Sequence, residues 1–444
     1  MAFDLTRGDT ICALATARGR SAIAVVRVSG RRAFALRDAI FRRRRAGDPP
    51  PFVAVRGDVL DRDDRIVDDA VCVSFPGPRS YTGEDLVELS LHGSPLVVDL
   101  VVARLLELGA RPAEPGELTL RAVLNGRLDL ASAEAVDVVV ASRTTAALFA
   151  AQRALRGGLQ AAVDPVRALL VDQLAELEAR LDFPDEELGI ADRSGLRRSL
   201  VDAGRLLDGI LQGARRGRRL SEGARVLLFG APNAGKSTLL NALVGSERAL
   251  VHDEPGTTRD VLEAEVEIEG VAVVVVDVAG VREEAHHPVE RAGIARALAE
   301  VEKADVVVVV TPAGSEPFAP PASASQPPLQ QYLAVFTKVD LVPGASGVSA
   351  LTGAGLPELK RAIAQALGAA HVDDDEGLVQ TARQEHALRE CRAAVDDALG
   401  SLEAPDEVVC SELRRAARCL DRLLGRDVSA DVLDLVFTRF CIGK

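Results

Sequence analysis

Val226-Leu227-Leu228-Phe229-Gly230-Ala231-Pro232-Asn233-Ala234-Gly235-Lys236-Ser237 is the stretch that decides the fold of the middle of this chain. Val226 to Phe229 is an apolar, β-branched run with the length of a buried strand. Gly230 to Ser237 fits the pattern GxxxxGK[ST]. Leu239, Leu240, Ala242 and Leu243 then repeat at helical spacing. A strand, a glycine loop and a helix in this order form a phosphate cradle. Glycines let backbone N–H groups turn inward, and the helix N-terminus adds a favourable dipole. Asn233, Ala234, Gly235, Lys236, Ser237 and Thr238 are the expected wrapping residues. Lys236 reaches the β- and γ-phosphates, and the Ser237 hydroxyl is a magnesium ligand.

Downstream, Leu262, Ala264, Val266 and Ile268 alternate with Glu263, Glu265, Glu267 and Glu269, and Gly270 turns the chain into Val271 to Val276. That pattern predicts a hairpin of one half-buried and one buried strand. Val306 to Val310 and Leu333 to Phe336 read as further buried strands. Thr311 to Pro328, rich in Pro, Ala and Ser, reads as a loose loop. Strands alternating with helices predict a mostly parallel sheet covered on both faces.

This α/β unit, 219–370, lies between two helical stretches, 125–218 and 371–444. Leu170, Leu174, Leu177 and Leu181 share one helix face, as do Leu196, Leu200, Ala203, Leu207 and Ile210, with a stop at Phe183-Pro184-Asp185. Residues 1–124 read as mixed α/β, with strands at Ile23 to Val28 and Val71 to Phe75 and a helix from Leu96 to Leu108. The expected fold class is α/β, a P-loop domain inserted into an α-helical domain and preceded by a separate α/β domain.

Three further motifs follow the P-loop in order. Asp277-Val278-Ala279-Gly280 ends a buried strand; Asp277 suits a magnesium shell and the Gly280 N–H a γ-phosphate. Thr337-Lys338-Val339-Asp340 ends another. Its Asp340 carboxylate can accept from the N1–H and exocyclic amine of guanine, a donor pair adenine lacks, and Lys338 would cover the ring. Ser349-Ala350-Leu351 fits a backbone cap for the guanine carbonyl. Gly256-Thr257-Thr258-Arg259-Asp260 reads equally as a turn before the hairpin or as a Thr-bearing loop that completes the magnesium shell, with Thr258 as ligand. Together these motifs specify a GTPase rather than an ATPase. Val281 stands where Ras-type enzymes place a water-orienting Gln. Glu290 is the nearest replacement, and it fits equally as a first-turn helix carboxylate.

Composition sets the outer limits. The 444 residues carry a formal net charge of −13, which repels nucleic acid at long range, so RNA contact needs a local basic patch or a partner. The clusters Arg42 to Arg45 and Arg215, Arg216, Arg218 and Arg219 read first as solvated faces. With 3% aromatics and no Trp, the cores must be built from Leu, Val and Ala. The six Cys form no CxxC pair, the start lacks an apolar leader, and Val306 to Val310 is too short to span a bilayer. These features predict a cytoplasmic protein with no membrane segment.

The chain resembles the tRNA-modification GTPase family called MnmE or TrmE, over nearly its whole length. Besides the nucleotide motifs, the resemblance rests on Ser80-Tyr81-Thr82-Gly83-Glu84-Asp85, Leu91-His92-Gly93, Arg111-Pro112-Ala113-Glu114-Pro115-Gly116-Glu117 and Leu124-Asn125-Gly126-Arg127-Leu128-Asp129-Leu130. It also rests on Ala133-Glu134-Ala135-Val136, Phe183-Pro184-Asp185-Glu186-Glu187 and the terminal Phe440-Cys441-Ile442-Gly443-Lys444.

The resemblance implies modification of the wobble uridine of tRNA at C5, adding an aminomethyl or carboxymethylaminomethyl group. It implies a homodimer joined through a folate-binding N-terminal domain, working in a heterotetramer with the FAD-dependent partner MnmG (GidA). Arg27, Glu88, Arg127 and Lys444 fall on the folate positions, for 5-formyl- or methylene-tetrahydrofolate; Arg127 stands where the family usually has Lys. Asn233, with His252, Glu254 and Thr257, falls on the potassium positions. His252, Asp253, Glu254, Pro255, Gly256, Thr257 and Thr258 fall on the family's GTP-binding segment, and Glu290 on its water-positioning Glu. The family usually has Thr at Val278, and many relatives have Asn at Thr337. Cys441 reads either as a nucleophile toward uridine C6 or the one-carbon unit, or as a small buried packing residue. A nucleotide-switched ribosome-assembly or binding GTPase without tRNA chemistry is the competing expectation.

Overall fold

A computed structural model describes residues 8–44, 50–182, 193–245, 261–278, 298–318, 331–367, 377–438 and 440–443. The chain forms two compact units, residues 1–137 with 417–444, and residues 138–416.

The first unit is built on a seven-stranded sheet of order β3-β4-β5-β6-β2-β1-β7. The strands are β1 (Ile11–Leu14), β2 (Ile23–Ser29), β3 (Phe41–Arg43), β4 (Val55–Leu60), β5 (Ile66–Phe75), β6 (Leu86–His92) and β7 (Arg111–Pro112). Helices α1 (Ala33–Ile40) and α2 (Pro95–Glu107) cover one face, where Val26, Val28, Leu89, Leu91, Leu36 and Leu105 are buried in a common core. Burying each such side chain contributes roughly 1.5–3 kcal/mol before entropy is counted. Pro95 opens α2, a position where its missing N–H has no helical partner to lose.

β5 begins at Ile66, well before the expected Val71. The polar pair Asp68-Asp69 obscures it in the sequence, and both carboxylates are paired in the sheet. Asp68 accepts from the His92 backbone N–H at 2.8 Å, and Asp69 faces Arg56 and Arg44. Helix α3 (Glu117–Leu124) is anchored by a network of acids and arginines. Arg111 and Arg121 both bind Glu117 and Asp9, and Arg121 also reaches Glu84. α12 (Ala430–Phe437) brings the C-terminal residues into the same unit, and a Cβ on Gly116 would sit 2.7 Å from the Phe437 carbonyl oxygen.

In the second unit a five-stranded sheet has the order β12-β11-β8-β10-β9. Its strands are β8 (Ala224–Gly230), β9 (Val261–Ile268), β10 (Val271–Val278), β11 (Val306–Pro312) and β12 (Gln331–Thr337). β12, β11, β8 and β10 run parallel, and β9 pairs antiparallel to β10 at the edge. The hairpin turn is Glu269-Gly270, both at positive φ (48° and 83°), as a two-residue turn matched to strand twist requires. β8 is buried on both faces. Val226 and Leu228 pack with α8 (Lys236–Gly245) and α9 (Leu356–Ala366), and Leu227 and Phe229 with Val301, Val307 and Val309.

The helical part of this unit includes α5 (Thr145–Leu155), α6 (Gly158–Asp182), α7 (Arg193–Glu222) and α10 (Ala382–Gly400). α4 (Leu130–Ala141) and α11 (Asp406–Leu424) each belong partly to both units. α7 runs through to Glu222, and Gly223 at φ 80° turns the chain directly into β8. The stop at Phe183-Pro184-Asp185 lies outside the described residues.

Two further expectations are corrected. Thr311 and Pro312 are not loop but the end of β11, and Thr311 is buried. The Thr311 hydroxyl accepts from the Phe318 N–H at 3.0 Å, and Phe318 tilts onto Phe229, so the first part of the Pro/Ala/Ser stretch is packed. Nor are four of the clustered arginines simply solvated. Arg44 and Arg42 pair with Asp58, Arg218 with Glu385, and Arg219 with Asp305.

Candidate active site

The P-loop leaves the C-terminal end of β8 and enters α8. Gly230 lies so close to β11 that a Cβ would stand 2.3 Å from the Val310 carbonyl oxygen. Asn233 (φ 61°) and Gly235 (φ 92°) adopt left-handed backbone, which turns successive N–H groups to one side of the loop. Lys236, 6% exposed, donates from Nζ to the carbonyls of Gly230 (3.1 Å) and Ala231 (3.0 Å). Burial pushes the Lys236 ammonium below its ordinary pKa, with Asp277 opposing the shift. The Ser237 hydroxyl donates to the buried Asp277 carboxylate at 2.5 Å. A hydroxyl and a carboxylate oxygen in contact beside a phosphate cradle are the hard oxygen donors magnesium takes, so these residues fit that ion.

The base-side motif is tied to the same loop. The Thr337 hydroxyl, at the end of β12, donates to the Ala234 carbonyl at 2.6 Å, and Lys338 Nζ donates to the Asn233 carbonyl at 2.8 Å. Thr337 thus braces the P-loop through a hydroxyl. Lys338 is held at φ 58°, and Asp340 stands exposed in the 3-10 turn Val339–Leu341. A bridge between Thr337 and Val348 brings Ser349, Ala350 and Leu351 beside it. Ser349 is buried and Leu351 is 81% exposed, so the side chains of this segment divide between core and surface. Asn233, Ala234, Gly235, Lys236, Ser237, Asp277, Thr337, Lys338 and Asp340 therefore gather at the C-terminal ends of parallel strands, where open α/β sheets bind ligands. Ala279, Gly280, His252, Asp253, Glu254, Pro255, Gly256, Thr257, Thr258 and Glu290 lie outside the described residues.

A second constellation lies on the first unit, on the sheet face opposite α1 and α2. Arg27 and Glu88 are register partners on β2 and β6, with Arg27 Nε 2.8 Å from Glu88 Oε1. The Arg27 guanidinium also lies 5.7 Å from the Tyr81 ring centroid and donates to the Gly443 carbonyl at 3.3 Å. Tyr81 in turn shares a hydrogen bond of 2.8 Å with Thr119 of α3. Two residues on, Gly83 backs against Arg127, whose Cγ would be 3.2 Å from a Cβ there. The Gly116 N–H meets the Cys441 carbonyl at 3.4 Å, and Gly443 is so close to β1 that a Cβ would be 2.2 Å from the Leu14 carbonyl oxygen. Cys441 is exposed, unlike the other five cysteines, so a role as buried packing does not describe it. Burial pushes the Cys12 and Cys72 thiols up to about 11, which marks those as core residues. Lys444 and Arg439 lie outside the described residues. The tethers that Tyr81 and Thr337 supply are not visible in the sequence, because each bonds to a partner remote along the chain.

Fold and site together define a P-loop GTPase unit carried on a helical frame, with a separate N-terminal α/β unit. The profile of the MnmE helical domain matches residues 130–441, and that of the GTP-binding protein TrmE N-terminus matches residues 10–127. The tRNA modification GTPase MnmE of one Thermus thermophilus strain is 41% identical over 98% of this chain and 99% of its own length. That of Symbiobacterium thermophilum is 41% identical, and that of Thermotoga maritima 38% identical, each over 98% of this chain and at least 99% of its own length. The chain belongs to the MnmE (TrmE) family of tRNA modification GTPases. It is a GTP-binding enzyme with a GTPase role in tRNA modification. Among the described residues no helix is long and apolar enough to cross a membrane.

Proposed function

We propose that this chain couples GTP hydrolysis to C5 modification of wobble uridine in tRNA, with a folate as one-carbon source and MnmG (GidA) as FAD-dependent partner. In this reading residues 1–124 bind the folate and dimerise the protein, 125–218 and 371–444 form the helical domain, and 219–370 hydrolyse GTP. Two chains and two partners form the working heterotetramer in the cytoplasm.

The supporting observation is the meeting of Arg27, Glu88, Tyr81 and the Gly443 carbonyl on one sheet face. A guanidinium, a carboxylate and an aromatic face suit a flat, polar, anionic ligand such as 5-formyl- or methylene-tetrahydrofolate. Arg127 and Lys444 complete the proposed set, and exposed Cys441 beside it is available to uridine C6 or to the one-carbon unit.

On the nucleotide side, Lys236 binds the β- and γ-phosphates and Asp340 reads guanine. Ser237 and Thr258 hold magnesium, with Asp277 in contact with Ser237. Asn233, His252, Glu254 and Thr257 hold potassium. The cations supply positive charge for the oxygens of the transferring phosphoryl group. Glu290 orients the attacking water.

The test is mass analysis of wobble uridine in tRNA from cells lacking the protein, with and without this chain restored, together with 5-formyl-tetrahydrofolate binding by the full chain. Loss of the C5 group on deletion and its return on restoration are expected, with folate binding weakened in Arg27→Ala. Unchanged tRNA would overturn the reading in favour of a nucleotide-switched binding module. The relatives' names give that alternative no support.

A further inference from the structure

Among the described residues, ion pairs between the GTPase part and the helical part of the second unit occur at two separate places. One is where the chain enters the sheet. Arg219, in the last turn of α7, donates from Nε to Asp305 at 3.1 Å and from Nη1 to the Leu367 carbonyl at 2.8 Å. Asp305 also accepts the Arg225 N–H at 2.9 Å, so this tether fixes the base of β8 and β11. Its neighbour Arg218 holds Glu385 of α10.

The other is on the edge strand. Arg143, in the short link between α4 and α5, forms an ion pair with Glu265 of β9. Both side chains are about one-third exposed or less, 35% and 27%. The two tethers differ in what they can sense. The Arg219 tether lies at the base, away from the strand ends that carry the phosphate motifs. The Arg143 tether holds the strand that follows 246–260, the stretch containing Thr257 and Thr258. Glu265 is also three positions along β9 from Leu262, which is the register partner of Asp277. A strand advances about 3.3 Å per residue and is stiff over that length. Any shift of the β9–β10 pair at Asp277 is therefore carried to Glu265.

Beyond the tether, Arg143 stands between two helices. Thr144 caps α5 by accepting the Ala147 N–H at 3.2 Å. α4, 12 residues long, runs back along the chain to Leu130, three residues after Arg127.

We propose that the Arg143–Glu265 ion pair is the contact through which the nucleotide state of the GTPase part is passed to helices α4 and α5, and so to tRNA modification. Arg143 and Glu265 are positioning residues; neither touches nucleotide or tRNA. The second clause rests on the tRNA reading above, and the first does not.

The test is hydrogen exchange of the full chain over residues 139–155, with and without GDP and aluminium fluoride, in wild type, Arg143→Glu, Glu265→Arg and the double charge swap. In wild type the nucleotide changes exchange in this segment by about fivefold, the size a single half-buried pair supports. Each single reversal abolishes the change while GTP hydrolysis stays within about twofold, and the double swap restores it. Arg143→Gln, which removes the charge and keeps a shorter polar side chain, covers the case that reversal disturbs the link. Glu267→Arg makes the same charge change on the same strand face and leaves the response intact. A wild-type segment indifferent to nucleotide, a response that survives Glu265→Arg, or a double swap that restores nothing would each overturn the coupling. In cells, wobble-uridine modification follows the same order among the variants. Loss of modification in none of them, with the exchange result intact, would remove the tRNA clause alone.

Discussion

The chemistry proposed for the two sheets of this protein lies in different places. In the five-stranded sheet it lies at the strand ends: β8 runs into the P-loop, β10 ends at Asp277-Val278, and β12 ends at Thr337. In the seven-stranded sheet it lies on a face, where Arg27 and Glu88 point away from α1 and α2 toward Tyr81 and the chain's last residues. Strand-end sites are built from backbone loops and helix N-termini, which suit phosphates. A face site is built from side chains of neighbouring strands and needs a cover, which here comes from the C-terminal residues. Each motif of the strand-end site is thus local in sequence, although Thr337 and Lys338 reach back over 103 and 105 positions to the P-loop, and the face site has no local motif. Arg27 and Gly443 are 416 positions apart.

If the strand-end site is phosphate-centred, removing its cation has the largest effect of any single change. Lys236→Ala is expected to lower GTP binding by at least about a hundredfold, since a buried charged hydrogen bond is worth roughly 1.5–3 kcal/mol per phosphate contact and Lys236 spans two phosphates. Titration calorimetry with GTP measures it. Folding should not suffer, because burial already disfavours the Lys236 charge. A GTP affinity within a few-fold of wild type would break the assignment of Lys236.

Asp340→Asn is expected to come next. The amide puts a donor where guanine also donates, which costs on the order of 2–3 kcal/mol, about a hundredfold or somewhat less, and favours xanthine, whose carbonyl accepts. Competition between GTP and XTP reads it. An unchanged GTP affinity with no gain for XTP would remove Asp340 from the base pocket. Neither Lys236→Ala nor Asp340→Asn should alter folate binding, and a shared effect would undo the separation of the two sites.

Arg27→Ala tests the face site in the same terms. It removes the ion pair with Glu88 and the bond to the Gly443 carbonyl. Folate affinity is expected to fall by about tenfold, the worth of one charge-assisted bond in a partly exposed site. GTP turnover should be unchanged. Equal losses at both sites would point to a general unfolding, and calorimetry of the variant distinguishes that.

Legibility in the sequence follows the same division. The P-loop, the hairpin at Glu269-Gly270 and the proposed site acids Asp277 and Asp340 are readable, because strand, turn and candidate residue sit within a few positions of one another. What escapes is set by partners far along the chain. β5 reads as short because Asp68 and Asp69 break the apolar pattern, and His92, Arg56 and Arg44 make them acceptable there. Thr311 reads as the start of a loose loop, yet its carbonyl accepts from the Thr337 hydroxyl at 3.3 Å and its own hydroxyl holds Phe318. Arg219 reads as a surface charge because Asp305 is 86 positions away. Arg27, Glu88 and Arg127 carry no local signal at all, and family resemblance alone singles them out.

The smallest expected effect concerns the contact between the first part of β5 and the end of β6. Asp68, 8% exposed, accepts both from the His92 backbone N–H at 2.8 Å and from Nδ1 at 2.7 Å, while the imidazole is 71% exposed. The hydrogen bond and charge of Asp68 raise the His92 pKa above its ordinary value, with Asp69 adding to the shift. A raised folded-state pKa means that the folded protein binds the proton more tightly than the unfolded chain. The resulting stability is present in full below the unfolded value of about 6.5, and it is lost as pH rises through the higher folded value. Asp68→Asn keeps an oxygen for the His92 N–H and removes the charge. The difference in Tm between wild type and Asp68→Asn is therefore expected to be largest at pH 6 and to shrink toward pH 8.5, by on the order of one degree for an exposed pair. His92→Gln should show no such pH dependence. A wild-type advantage that grows with pH would mean that Asp68 acts through its backbone bond and packing, leaving the exposed imidazole outside the stability of the sheet.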